Sequence, residues 1–174
     1  MSFQIREMNR IYKQKKIIFY DIPKGTVIDF IDGVDCYFYA TDWIVNDKSK
    51  MRFNILHNRW GINIKNVVRI TDEFDADNLK LADNYIQFFE NDICFLEDKN
   101  YAPPSSNYKI NFLLIEKGTS KNLISFLDNF KVEKVIFTTL ITNKESYNMK
   151  KICLERNIPV HDIKVDGSFE FIIN

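Results

Sequence analysis

The sequence predicts an α/β fold of layered sheets and helices, with a β-rich front half and a β-α-β-α-β-β back half. Residues 110–115 form a short continuous apolar run, which is typical of a strand covered on both faces. Apolar residues between Leu123 and Phe130 recur at helical spacing instead. In the front half, short apolar segments alternate with turn residues such as Asp32 and Gly33, which favours strands. Since helices of this kind need a sheet to pack on, the predicted fold is a layered one.

The front half is predicted to contain strands joined by turns. Asp32 and Gly33 suit a two-residue hairpin turn. Residues 72–81 are acidic and predict a loop or a short helical turn, while residues 57–64 show no clear pattern. No helix is predicted here, so we interpret the two halves as layers of one α/β domain that covers residues 17–174. The front strands are predicted at residues 17–20, 26–31, 34–40, 51–55, 85–89 and 93–96.

The back half follows a proline-rich loop at residues 101–107. Asn143 suits the start of its second helix, and Asn157 suits the left-handed end of that helix. Asp166 and Gly167 favour a two-residue hairpin between the last two strands. The back strands are predicted at residues 110–115, 135–140, 158–164 and 168–173, and the helices at residues 120–130 and 144–156.

The composition excludes several classes of protein. The chain has 174 residues and is 45% hydrophobic, which suits one domain with a substantial core. Its 24 basic and 24 acidic residues balance, which excludes a protein that grips nucleic acid with its whole surface. The three cysteines each lie in an apolar pattern and are predicted to be free core residues. Since no apolar stretch approaches the ~20 residues of a membrane span, we expect the chain as given to be soluble.

Residues 1–16 differ from the rest of the chain in charge. They contain five Lys or Arg against the single acid Glu7, and their apolar residues recur at helical spacing. Two interpretations of this segment remain open. It forms an amphipathic helix that docks on the domain, or it is a basic juxtamembrane segment that follows a membrane anchor.

The residues that could carry catalysis are few. A hydrolytic zinc site needs about three protein ligands around an open position. The chain has two histidines, His57 and His161, without paired spacing, so we interpret both as structural or surface residues. It lacks a Gly-x-Ser-x-Gly nucleophile motif and a glycine-rich phosphate loop. No catalytic residue, resident metal or cofactor is therefore predicted.

Nucleic-acid contact is predicted for one local segment only. Most aromatic residues lie in apolar strands, where core packing explains them. One stretch places an aromatic residue among cations, which is the combination that binds bases and phosphates. The predicted contacts are Arg52, Arg59, Trp60, Lys65 and Arg69.

Two segments carry a resemblance to a known family. Residues 16–33 read Lys-Ile-Ile-Phe-Tyr-Asp-Ile-Pro-Lys-Gly-Thr-Val-Ile-Asp-Phe-Ile-Asp-Gly, and residues 135–171 contain Cys153, His161 and Gly167 in a similar order and spacing. From about residue 11 to 174, the chain resembles the C-terminal soluble domain of ComEC-type competence proteins. These are polytopic membrane proteins that pass DNA into naturally competent bacteria. The similarity is closest to a shortened branch with a degenerate metallo-β-lactamase-like domain.

The resemblance implies a truncated metallo-β-lactamase fold and two partners. These are the membrane-embedded channel portion of the same protein and the DNA strand. It also implies a place at the cytoplasmic membrane. Family members would hold this domain on the outer side, whereas the basic residues 6–16 and the three thiols favour the cytoplasmic side, so the side stays open.

The family's metal motifs are missing where they would be expected. Full-length members carry His-x-His-x-Asp-His after the opening strands and Gly-His-His-Gly-Ser at a later helix. Residues 116–120 here read Glu-Lys-Gly-Thr-Ser, and Asp98 is the one ligand that still matches. The resemblance therefore implies a non-catalytic accessory domain. Two alternatives remain, namely a metal-dependent hydrolase or nuclease that uses Asp98, His57 and His161, and a free-standing ligand- or partner-binding domain.

Overall fold

The structure, a computed structural model, describes Arg6 and residues 10–96 and 108–174. The predicted mixed α/β class is confirmed.

The chain divides into two compact units, of which the first is Met1–Ile70 with Gly167–Asn174 and the second is Thr71–Asp166. The single domain predicted for residues 17–174 stays a prediction. The predicted loop at residues 101–107 lies outside the described residues. Of the predicted N-terminal helix, Arg6 and residues 10–13 are described as helical.

The described strands and helices are numbered in chain order. The strands are β1 (Lys15–Phe19), β2 (Val27–Asp32), β3 (Asp35–Ala40), β4 (Asn66–Arg69), β5 (Phe74–Ala76), β6 (Leu79–Ala82), β7 (Tyr85–Phe88), β8 (Asn91–Leu96), β9 (Lys109–Ile115), β10 (Lys131–Phe137), β11 (Val160–Asp162) and β12 (Phe169–Ile172). The helices are α1 (Asp42–Asn46), α2 (Lys48–Lys50), α3 (His57–Gly61), α4 (Leu123–Asn129), α5 (Asn143–Glu155) and α6 (Ile163–Asp166), with a π-helix (Met51–Leu56) and a 3₁₀ helix (Ser120–Asn122).

The sheet of the first unit has the strand order β12-β1-β2-β3-β4. The predicted hairpin between β2 and β3 is confirmed, since Asp32 pairs with Asp35 across it. Gly33 has a φ of 60°, which favours glycine, and a Cβ there would approach the carbonyl oxygen of Tyr12 to 3.0 Å. The turn therefore needs glycine both for its backbone conformation and for the space around it.

The first unit has its own helical cover, which the sequence analysis did not predict. β3 and β4 run parallel, so the chain between them must cross from one end of the sheet to the other. It does so as α1, α2, the π-helix and α3, which we call the helical segment. Ile44 and Ile55 of this segment are fully buried and belong to one core cluster with Ile22 and Ile31. The strand predicted at residues 51–55 is wrong, because these residues form the π-helix, from which Ile55 packs into the core.

The sheet of the second unit has the order β11-β10-β9-β8-β7-β6-β5. β8 to β11 are parallel, and β5 to β8 are antiparallel. The hairpin predicted over residues 85–96 is confirmed by β7 and β8. The loop predicted at residues 72–81 is wrong, since β5 and β6 form a hairpin there. Leu79 and Leu81 are buried, while the charged pair Asp75 and Lys80 is exposed.

Helices α4 and α5 contribute to the core of the second unit. Leu123, Phe126 and Met149 lie in one buried cluster with residues of β9 and β10. The second predicted helix is confirmed, although its capping residue is Thr142, whose side chain forms a capping box with Glu145. Asn157 has a φ of 56°, as predicted for the end of this helix. All three cysteines are confirmed as buried and free: Cys36, Cys94 and Cys153.

The predicted C-terminal hairpin is wrong. β11 joins the parallel edge of the second unit's sheet beside β10, whereas β12 pairs antiparallel with β1 in the other sheet. Helix α6 separates these two strands, and Gly167 has a φ of 80°. The Asp166-Gly167 signal therefore marks the point where the chain leaves one sheet for the other.

Asp162, at the end of β11, is a buried carboxylate in the second unit. Its side chain is 5% exposed, and Oδ2 accepts bonds from Ser146 Oγ at 2.7 Å and from Lys150 Nζ at 2.8 Å. Burial opposes the charge of Asp162, but the hydrogen bonds from Lys150 and Ser146 outweigh it and lower the pKa of this carboxyl group. The charge therefore stabilises the folded state.

We expect Asp162→Asn to lower the free energy of unfolding at pH 7 by about 1–3 kcal/mol, because the amide cannot replace the two charge-assisted bonds. The folded pKa is depressed, so this stabilisation is complete above the unfolded value of 3.8 and is lost as the pH falls through the folded value. Urea unfolding between pH 7 and pH 3 should show the two proteins converging at acid pH. Asp75→Asn, at an exposed pair, is the control. A constant difference across this range would contradict the assignment.

Candidate nucleic-acid interface

The helical segment presents one face to the core and another to solvent. Asp47 accepts a bond from the backbone N of Lys50 at 3.1 Å and so caps α2. The chain then continues through the π-helix into α3 without a break. π-Helices are rare and occur frequently at functional sites.

Arg59 anchors the inner face. It is 3% exposed, and its Nε and Nη2 atoms donate to the two carboxylate oxygens of Asp29 on β2 at 2.8 and 2.6 Å. The same guanidinium lies 4.5 Å from the ring centroid of Phe38 on β3. This paired geometry is the strongest that an arginine and a carboxylate can form. The pair therefore fixes the rotation of α3 about its own axis relative to the sheet.

Further donors complete the buried network. Tyr20 Oη donates to Asp29 Oδ2 at 2.9 Å, and Asn58 Nδ2 donates to Tyr20 Oη at 2.9 Å. Burial, reinforced by the charge of Asp29, raises the pKa of both Tyr20 and Cys36 well above their ordinary values. Burial works against the charge of Arg59, but its bonds to Asp29 raise its pKa. The network therefore links α3 to β2 through hydrogen bonds.

The outer face carries exposed aromatic rings. Phe53 is 72% exposed and Trp60 is 57% exposed, and His57 between them is also exposed. The rings of His57 and Trp60 meet edge to face with centroids 5.4 Å apart. These residues are four and three positions apart, which is the spacing of neighbours on one helical face. We call Phe53, His57 and Trp60 the aromatic row.

Cations lie on the same helical segment. Arg52, next to Phe53, is exposed, as is Lys48. Lys50 bonds Asp47 at 3.0 Å and lies 4.5 Å from the ring centroid of Trp43. Surfaces that bind single-stranded nucleic acid combine positive charge with aromatic side chains on which bases stack.

The five residues predicted to contact nucleic acid fall in different settings. Arg52 and Trp60 are both exposed on the helical segment. Lys65 is exposed, with Nζ 5.9 Å from the ring centroid of Tyr12. Arg59 is buried against Asp29, so its guanidinium does not face solvent. Arg69 is half-buried and donates to the carbonyl oxygen of Ala40 and to the carboxylate of Asp42.

Phe53 is a candidate that the sequence analysis missed, and His57 was considered only as a metal ligand. The signal that could have found both is the 53-57-60 spacing of ring side chains. It is visible once residues 51–61 are taken as helical, but a strand interpretation places residues 53 and 60 on opposite faces.

The candidate ligands of the alternative metal-dependent hydrolase are His57, His161 and Asp98. His57 belongs to the first unit, and His161 lies half-buried on β11 of the second unit. Asp98 lies outside the described residues. Among the residues that the structure describes, no three His, Cys, Asp or Glu side chains are grouped as ligands of a metal ion.

A comparison with models of known protein families assigns the chain to a family. A family model of the ComEC C-terminal domain matches residues 17–173. The chain belongs to the ComEC C-terminal domain family. Neither the curated proteins nor the solved structures contain a match to it. The match runs from β1 to β12 and so includes both units of this ComEC domain.

Membership connects this ComEC domain with a membrane protein. The family domain is an accessory part of a competence protein and is linked to the membrane channel part of the same protein. Within the described residues, no helix has both the length and the hydrophobicity that a bilayer span requires.

We expect Arg59→Ala to lower the free energy of unfolding of the ComEC domain by about 3–5 kcal/mol, because the buried charge of Asp29 loses its partner. Arg52→Ala, seven residues earlier and exposed, should change it by less than about 0.5 kcal/mol. Urea unfolding followed by circular dichroism measures both. Equal losses in the two variants would show that Arg59 does not anchor the helical segment.

Proposed function

We propose that this ComEC domain is a non-catalytic accessory domain of a membrane DNA-uptake protein and that it contacts the DNA strand through the aromatic row. The exposed rings of Phe53 and Trp60 on one helical face carry this proposal. A base that stacks on such a ring contributes about 1–3 kcal/mol of binding free energy. Arg52, beside Phe53, supplies charge for the phosphates.

The chemistry of the aromatic row favours a single strand over a duplex. The flat faces of bases are available for stacking only where the bases are unpaired. A duplex would instead present its phosphates, and a protein with 24 basic and 24 acidic residues gains little from charge alone. The proposed contact is therefore local, and it depends on ring surface more than on charge.

Two observations support a non-catalytic role. His57 packs edge to face on Trp60, so its ring belongs to the aromatic row. The sequence also replaces the family's Gly-His-His-Gly-Ser motif with Glu-Lys-Gly-Thr-Ser at residues 116–120. The role proposed for this domain is to hold and guide the strand.

We expect Phe53→Ala and Trp60→Ala each to weaken the binding of fluorescent oligo-dT by about 5- to 150-fold, because each removes one stacking surface. Arg52→Gln should reduce the slope of log K against log salt by about 0.7, as expected for one phosphate contact to a single strand. Fluorescence anisotropy over a salt series measures both effects.

Tyr147→Ala is the matched control for the ring substitutions. Tyr147 is 72% exposed, as Phe53 is, but it lies on α5 of the second unit. Its loss should leave oligo-dT binding unchanged. An equal loss of affinity in Tyr147→Ala and Trp60→Ala would refute the assignment of the site to the aromatic row.

Metal analysis tests the non-catalytic role. Protein purified without chelators and then dialysed should hold far less than one zinc or manganese ion per chain, and added metal should not produce nuclease activity. Stoichiometric metal that is lost in Asp98→Asn, His57→Ala or His161→Ala, together with cleavage of DNA, would favour the metal-dependent hydrolase instead.

A further inference from the structure

A groove in the first unit combines positive charge with apolar side chains. Its volume is about 510 Å³, and five of the twelve described residues that line it are Lys or Arg, while four are Ile. None of these lining residues is acidic. Arg6, Arg10 and Lys13 are exposed, so the charge lies at the solvent side of the groove. The groove and the aromatic row have no residue in common.

The wall of the groove is fixed by hydrogen bonds. Gln14 Nε2 donates to the carbonyl oxygens of Gly33 at 2.7 Å and of Ile62 at 2.8 Å. These bonds hold residues 10–16 beside the chain that follows α3. Lys16, also in the lining, forms a salt bridge with Glu170 at 2.9 Å. The wall of the groove is therefore held in place by hydrogen bonds within the first unit.

The apolar side of the groove lies at a sheet edge. Ile172 is on β12, the outermost strand of its sheet, and is 61% exposed. Ile62, at the end of α3, lines the groove as well and is half-buried. An exposed isoleucine beside several cations suits the boundary between the headgroups and the acyl chains of a membrane.

We infer that this groove binds the headgroup of an anionic phospholipid and so seats the domain on a membrane surface. The phosphate lies against Arg10 and Lys13, and the glycerol and upper acyl carbons lie against Ile62 and Ile172. Charge complementarity selects an anionic lipid over a zwitterionic one. A nucleic acid would satisfy the cations but would leave the isoleucines without an apolar partner. The inference is independent of the DNA contact proposed above.

Vesicle sedimentation tests the inference. The protein should bind vesicles of phosphatidylglycerol and phosphatidylcholine far better than vesicles of phosphatidylcholine alone, and binding should fall as salt is added. The double variant Arg10→Gln and Lys13→Gln should bind about 30-fold more weakly, since each cation near a charged membrane contributes about a fivefold factor. Lys144→Gln with Lys151→Gln removes the same charge from exposed positions on α5 and should bind as the wild type does.

Further arms separate the lipid from other ligands. Ile172→Thr should weaken vesicle binding severalfold, and millimolar inorganic phosphate should not displace the wild-type protein. Phe53→Ala and Trp60→Ala should bind vesicles normally, which distinguishes this site from the aromatic row.

Four outcomes would overturn the inference. They are equal binding to both kinds of vesicle, an equal loss in the α5 double variant, displacement by inorganic phosphate with Ile172→Thr unaffected, and a loss of oligo-dT binding in the Arg10 and Lys13 variant as large as in Trp60→Ala. The third outcome would indicate a free-phosphate site, and the fourth a nucleic-acid groove.

Discussion

The bidentate pair between Arg59 and Asp29 determines which side of the helical segment faces solvent. Both side chains are almost completely buried, so neither charge can be left without its partner at an acceptable cost in free energy. A rotation of α3 on the sheet would separate them. The pair therefore fixes the inner face, and by doing so it places Phe53, His57 and Trp60 outward. A buried ionic contact thus sets the position of a surface that it does not touch.

The regular elements of this fold were predictable because their patterns are local. The apolar run of β9 and the helical spacing of α4 are visible within about a dozen residues, and both were confirmed. The helical segment was not predicted, since the alternation of residues 51–55 imitates a strand over so short a length. The Asp166-Gly167 turn was misleading for a different reason. β11 and β12 find partners far away in the sequence, and those pairings outweigh a favourable local turn.

The candidate site was predictable only in part. Trp60 and Arg52 were named from one local stretch of the sequence, because an aromatic residue among cations is a recognisable combination. Arg59 is a cation of the same stretch, like Arg52. Only the structure shows that the partner of Arg59 is Asp29, thirty residues earlier. Sequence spacing carries no information about such a pairing. The same limit hid Phe53, whose relation to Trp60 depends on the helical geometry between them.

The pairing of β12 with β1 makes the first unit discontinuous, since the whole second unit is inserted between β4 and β12. During synthesis, β1 has one neighbour, β2, until the ribosome has produced residues some 150 positions later. An unpaired strand edge is a template for pairing with other chains. The nascent chain therefore passes through a stage in which one sheet lacks its outer strand, and the long-range pairing of β12 slows the completion of that sheet.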